Sequence, residues 1–174
     1  MRRLMLLRHA KTERAEPGER DRERKLTKRG RADASEIGAY MVRHGLVPDL
    51  ALVSPAARTE ETWTLVAPAF DKAPRVVSDE RIYEATPERL IGVIRAVRDA
   101  RALLLIGHNP SFQDLAVRLV ATGEVEARNG IAEKLPTSGL VVIDLPFDDW
   151  SRLGANVGRL ERFVTPRLIA PASD

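Results

Sequence analysis

Four short apolar runs, unbroken at residues 4–7, 50–53 and 102–106 and interrupted only by Asp144 at 140–145, constrain this chain more than any other feature. Each is short for a helix, and apolar side chains occupy both alternating sets of positions. Each therefore reads as a strand buried on both faces, the pattern of a parallel sheet covered on two sides. Helical periodicity fills the segments between them. Ala32, Ile37, Tyr40 and Met41 predict a helix over 28–43, capped by Thr27 and stopped by Gly45 with Pro48 beyond. Ser54-Pro55 predicts a second helix ending near Phe70, and 75–77 a further strand. Thr86-Pro87 places a cap before a proline suited to the first helical turn, opening a helix to about Arg98. Asn109-Pro110 repeats that device and predicts a helix to about Val120. The charged stretch 11–25, with Pro17-Gly18, reads as a surface loop. After Trp150 the pattern is mixed, and Pro166 and Pro171 argue against long regular structure. The alternation predicts an α/β fold: a three-layer sandwich with a mostly parallel central sheet and helices on both faces. With no repeat or linker in sight, residues 1–174 read as a single domain.

Composition narrows the function classes. The 28 basic and 25 acidic residues are interspersed, and the net charge of +3 permits an anionic substrate without a nucleic-acid stripe. The absence of cysteine excludes disulfides, thiolate catalysis and Cys-type zinc sites. The three histidines lack metal-ligand spacing, so neither a metal nor another cofactor is expected. The apolar run after Arg2-Arg3 is too short for a signal sequence, and no run approaches the ~20 residues that span a bilayer. The expected location is the cytoplasm, with no membrane partner.

Chemistry collects at three strand ends. The first run ends in Arg8-His9, the second in Ser54-Pro55 with Arg58 a turn later, and the third in Gly107-His108-Asn109-Pro110. In open α/β sheets ligands bind beyond the carboxyl ends of the strands. If these strands are parallel neighbours, two arginines and two histidines meet at one edge. All four can be cationic, and nothing in their immediate motifs neutralises them, so an anion is expected there. Phosphate fits: arginine binds two oxygens with its planar fork, and helix N-termini after Ser54 and Asn109 add N–H donors. A neutral imidazole can attack phosphorus while the other groups hold the equatorial oxygens.

Leu7-Arg8-His9-Ala10, Ser54-Pro55-Ala56-Ala57-Arg58-Thr59 and Gly107-His108-Asn109-Pro110 resemble the three signature segments of the histidine phosphatase superfamily, which is similar to the phosphoglycerate mutases. The Arg-His-Ala-Lys-Thr form and the Leu26-Thr27-Lys28-Arg29-Gly30 segment look most like the SixA-type phosphohistidine phosphatases. The resemblance spans roughly residues 3–145. It implies a phosphoglycerate mutase-like fold and a phosphoryl group carried on His9 during turnover. It also implies a phosphate pocket of Arg8, Arg58 and His108. Thr12 falls where the family often places a substrate-facing serine or threonine, and Asn109, beside His108, is a further substrate-binding candidate. Ala10 stands where the family commonly has glycine.

An alkoxide leaving group needs a general acid, and Glu84 is the candidate proton donor; its alternative is a solvated loop glutamate. Imidazole, with a conjugate-acid pKa near ~6.5, leaves readily without one. The expected substrate is therefore a phosphorylated protein carrying phosphohistidine. A small phosphate ester is the alternative, and a non-catalytic phosphate-binding module a third reading. Other features read as structural. Arg43-His44-Gly45 reads as a helix C-cap, Trp63 and Trp150 as packing residues, and Ser138-Gly139 as a turn.

Overall fold

The computed structural model describes residues 1–169, so Pro171 lies outside the described residues. Its strands are β1 (Arg2–Arg8), β2 (Leu50–Val53), β3 (Arg75–Ser78), β4 (Ala102–Gly107), β5 (Val120–Gly123), β6 (Leu140–Leu145) and β7 (Gly158–Val164). Its helices are α1 (Lys28–Arg43), α2 (Ala57–Val66), α3 (Pro87–Arg95), α4 (Ser111–Leu119), α5 (Val125–Glu133) and α6 (Pro166–Ile169). The seven strands form one sheet in the order β3-β2-β4-β1-β6-β7-β5. The β3–β2, β2–β4, β4–β1 and β5–β7 pairs are parallel, while β6 runs antiparallel to β1 and to β7.

Alternation along the central strands splits the core into two layers. Leu4, Leu6, Leu103, Leu105, Val141 and Ile143 face one side and pack with residues of α3 and α4, such as Leu90 and Phe112. Met5, Leu7, Leu104, Ile106, Leu140 and Val142 face the other and pack with residues of α1 and α2, such as Ile37 and Val66. Fully burying a Leu or Ile side chain contributes about 1.5–3 kcal/mol. The apolar runs thus stabilise both layers at once, and the expected three-layer α/β sandwich is what forms.

Helix ends follow local chemistry. The Thr27 hydroxyl accepts from the Gly30 amide at 2.8 Å, and Thr86 accepts from the Arg89 amide. Gly45 stops α1 at φ 67°, with its amide donating to the Val42 carbonyl, so the Arg43-His44-Gly45 triplet is a C-cap. Trp150 is buried with its indole N–H on the Ala100 carbonyl, and Trp63 stacks on Phe70.

Three expectations need correcting. The second helix starts at Ala57, past Ser54-Pro55, and gives way at Ala67 to a 3-10 turn holding Pro68, which has no N–H to continue the α pattern. Asn109-Pro110 is not a cap followed by a first-turn proline. Its peptide bond is cis, Pro110 occupies the cap position, and α4 begins at Ser111. The tail after Trp150 contains the seven-residue strand β7, despite its mixed pattern. Its intermediate exposure at Glu161, Arg162 and Phe163 hides the alternation. The short β5 and the helix α5 were not expected either. Only Ile131 of α5 is buried, too little to make a periodic apolar face.

Gly30 is required by a close approach. A Cβ there would lie 2.2 Å from the Lys11 carbonyl oxygen, which is itself tied to the Thr27 amide at 2.9 Å. Gly30→Ala is therefore expected to destabilise the fold by about 2 kcal/mol despite alanine's better helix propensity. Thermal denaturation should show a fall of about 4–8 °C in Tm. An unchanged Tm would contradict this account.

Candidate active site

The sheet order places β2, β4 and β1 side by side and parallel, so Ser54, His108 and His9 leave adjacent strand ends. Ladder bonds continue past the strands: the His9 amide donates to the Gly107 carbonyl at 3.0 Å and the Ser54 amide to the Ile106 carbonyl at 3.0 Å. Because β6 is antiparallel, its beginning reaches the same edge. The Ser138 amide is shared between the Arg8 and His9 carbonyls, both at 3.1 Å, and Ser138 takes φ 58° to make that turn. Gly107 is needed there because a Cβ would lie 2.5 Å from the Phe112 ring.

Arg8, His9, Arg58 and His108 are brought together at this edge. His9 is 7% and His108 8% exposed, and their ring centroids are 5.5 Å apart. His9 Nδ1 lies 2.8 Å from the Ala10 carbonyl. A carbonyl can only accept, so Nδ1 carries the proton and Nε2 keeps its lone pair. Burial, reinforced by the charges of Arg58 and Arg8, lowers the His9 pKa to about 4. Burial, with Arg58 next, lowers that of His108 to about 3. Both imidazoles are therefore neutral at pH 7, which removes half of the positive charge the sequence suggested. Burial and the neighbouring Arg58 also depress the pKa of Arg8. The Nε of Arg8, the Nε of Arg58 and the Nδ1 of His108 are buried without a hydrogen-bond partner among the described residues. Unpartnered buried polar atoms are costly, and two of these, on Arg58 and His108, belong to residues lining one cleft, which marks a site built for a ligand.

The remaining charge is partly compensated, which the local motifs did not reveal. Asp21, in a 3-10 turn of the 11–25 loop, accepts from Arg58 through its backbone carbonyl at 2.9 Å and its carboxylate at 3.1 Å. The Tyr83 hydroxyl donates to the same carboxylate at 2.6 Å. That bond, with the Arg58 charge, lowers the Asp21 pKa to about 2. The loop therefore borders the site. Asp21 was missed because it lies 37 residues from Arg58 in a segment without periodicity.

A second set of hydrogen bonds holds the pocket from behind. The Ala10 amide donates to the Thr62 hydroxyl at 3.0 Å, and that hydroxyl donates to the Arg58 carbonyl at 2.7 Å. The loop after β1 is thus tied to α2 through Thr62, one turn beyond Arg58. Ala10 is buried with Leu26 and Ala34, and it has no left-handed backbone that would require glycine. Arg8 donates to the Leu135 carbonyl at 3.0 Å, and the Asn109 side-chain amide donates to the same oxygen at 3.0 Å. Asn109 also accepts from the Gln113 amide, so its polar atoms brace α4. The Thr12 hydroxyl accepts from Arg24 at 2.7 Å. Glu84, exposed and at φ 53°, lines a cleft of about 310 Å³ together with Asp21, Arg58, Tyr83, His108 and Asn109.

A buried neutral histidine with a free Nε2, beside two arginines at the carboxyl edge of an α/β sheet, offers a nucleophile and hydrogen-bond donors to an anion such as phosphate. Residues 4–123 match the histidine phosphatase superfamily (branch 1), and the chain belongs to that family. An uncharacterized protein of Mycobacterium leprae is 32% identical over 149 residues, covering 84% of this chain and 89% of that one. The structure is similar to that of the proposed phosphohistidine phosphatase SixA of Agrobacterium tumefaciens. The TM-score is 0.81 at 32% identity, over 95% of this chain and 98% of the other. A second protein of that description, from Nakamurella multipartitia, has the same fold at TM-score 0.82 and 24% identity, over 95% and 96% of the two chains. The family membership and the likeness to the Agrobacterium tumefaciens protein support a phosphatase. Among the described residues, no helix is long and apolar enough to cross a membrane.

Proposed function

We propose that this single-domain chain is a metal-independent phosphatase that works through a phosphohistidine intermediate on His9, with protein phosphohistidine as substrate. The observation that carries the reading is the state of His9. Its Nδ1 proton is held by the Ala10 carbonyl, and its Nε2 lone pair is free on a ring that stays neutral down to about pH 4. Nε2 attacks the phosphorus of a phosphohistidine whose second ring nitrogen carries a proton. The phosphorus–nitrogen bond breaks, its electron pair stays on the substrate nitrogen, and the imidazole departs neutral with that proton. Arg8, Arg58 and His108 hold the equatorial oxygens as charge moves. Water then attacks the phosphoryl group on His9, releasing inorganic phosphate and restoring the ring. Thr12 and Asn109 act in this reading by shaping the pocket around the substrate.

The substrate class rests on the acid. Asp21, the carboxylate bonded to Arg58, is ionised down to about pH 2 and cannot protonate a leaving group near neutrality. A phosphohistidine protonated on its second ring nitrogen, which it can be near its pKa of ~6.5, releases neutral imidazole and needs no such donor. The second reading, a small phosphate-ester phosphatase, draws on the place of Glu84 in the cleft lining, where it could serve as proton donor. A competition panel of phosphohistidine, phosphoserine and sugar phosphate, run with chelator present, separates the two. The expected result is a clear preference for phosphohistidine that survives Glu84→Gln. A preference for sugar phosphate that collapses in Glu84→Gln would establish the second reading. A divalent-metal requirement would overturn both.

A further inference from the structure

We propose that Ser54 is a positioning residue that sets the tautomer of His108, keeping its proton on Nδ1 so that this ring meets a bound phosphoryl group as a neutral donor. Its catalytic consequence rests on the phosphatase reading above; the assignment of the tautomer does not.

Ser54 is the first residue past β2, and its side chain is fully buried. Both of its backbone groups are engaged. The amide donates to the Ile106 carbonyl at 3.0 Å, and the carbonyl accepts from the Thr59 hydroxyl at 2.7 Å. The hydroxyl therefore has little freedom to move, and its one partner among the described residues is His108 Nε2, at 2.7 Å. On the other side of the ring, Nδ1 is buried and has no partner, on a residue that lines the cleft beside Arg58.

A neutral imidazole has one donor and one acceptor, so two arrangements exist. In the first, the Ser54 O–H donates to Nε2 and the ring proton sits on Nδ1. The serine proton is used, and the free ring atom is an N–H donor beside the arginines. In the second, Nε2–H donates to the serine oxygen. The buried serine proton then has no acceptor, and a ring lone pair takes the place of the Nδ1 donor. Each arrangement leaves one buried donor unmade, the Nδ1 N–H in the first and the serine O–H in the second, but only the first leaves a donor on a cleft-lining ring that a bound anion can take. A phosphoryl anion favours the first, since it attracts an N–H and repels a lone pair. The depressed pKa of His108 is consistent with a ring whose donor is set by tautomer rather than by full protonation. Ser54 thus gives the Ser-Pro segment a purpose other than starting a helix, since α2 begins only at Ala57.

The test is long-range proton–nitrogen correlation on the ¹⁵N-labelled, phosphate-free protein at pH 7. The wild-type protein is expected to show His108 protonated at Nδ1 and bare at Nε2. In Ser54→Ala the ring is expected to move wholly or partly to the Nε2–H form. Turnover should fall by about 10- to 100-fold with KM little changed, less than the ~10²–10³-fold cost of losing a transition-state donor outright. Ser54→Thr, which keeps the hydroxyl, should hold the wild-type tautomer. A wild-type ring protonated at Nε2 would overturn the proposal, and so would an Nδ1–H tautomer that persists unchanged in Ser54→Ala. If the tautomer behaves as stated but no phosphate substrate is turned over, the phosphatase reading fails and the Ser54 assignment stands.

Discussion

Replacing His9 with alanine is expected to lower turnover by about 10⁴-fold or more and to abolish any acid-labile phosphoenzyme. Without the imidazole no nucleophile remains. The nearest other ring, His108, has its Nε2 on Ser54. Rapid quench with labelled substrate should trap phosphate on the wild-type protein and none on His9→Ala. Full activity in the variant would remove His9 from the mechanism. The same residue sets the pH dependence. Neutral His9 is the reactive form, and its pKa is lowered to about 4, so it stays reactive well below 6.5. After correction for the substrate's own ionisation near ~6, the acid limb of kcat/KM should fall near pH 4. A limb at the ordinary histidine value would show that the ring is not buried in solution. The stability consequence has a definite sign. Between pH 6.5 and about 4 the unfolded chain binds a proton at His9 that the folded chain does not, so stability is lost as pH falls through that window. Thermal denaturation of His9→Ala should show a shallower pH slope there.

Arg58→Ala carries the second large effect, a fall in kcat/KM of about 10³-fold. Loss of a single preorganised donor costs ~10²–10³-fold, and Arg58 offers a two-pronged fork. Arg58→Lys restores the charge without the fork and should recover part of the loss. A structural readout accompanies the kinetic one. Arg58 binds Asp21 at both its backbone carbonyl and its carboxylate, so removing it frees the 11–25 loop on that side. The Asp21 pKa should rise from about 2, but only part of the way, because the Tyr83 hydroxyl still donates to it. Carboxyl NMR titration measures this. An Asp21 pKa unchanged in Arg58→Ala would mean that the Arg58 pair contributes little, whatever the rate does.

Much of the candidate site was legible because its residues follow buried strands. Arg8, His9 and His108 sit at or just past the ends of apolar runs, and Arg58 lies in the first turn of the helix after another. The literal Arg-His-Gly triplet at 43–45 was readable as a helix stop for the same reason, since a helix precedes it and no strand does. The compensating carboxylate was not legible. Asp21 meets Arg58 only because the charged loop folds back over the site, and no periodicity marks such a path. The protonation states were not legible either. Sequence lists four groups that can be cationic; burial decides that two of them are neutral.

By itself, then, the sequence determined the layered α/β architecture and the residue types offered at three strand ends. Apolar runs and turn residues are local signals, and their hydrophobic and backbone terms act wherever the chain goes. Tertiary structure alone decided the order β2-β4-β1, which makes those three ends neighbours, and the antiparallel β6, which brings Ser138 among them. It also decided the pairing of Asp21 with Arg58 and the hydrogen bond between Ser54 and His108 Nε2. Those are long-range contacts and desolvation effects, and they exist only once the sheet edge has closed around the histidines.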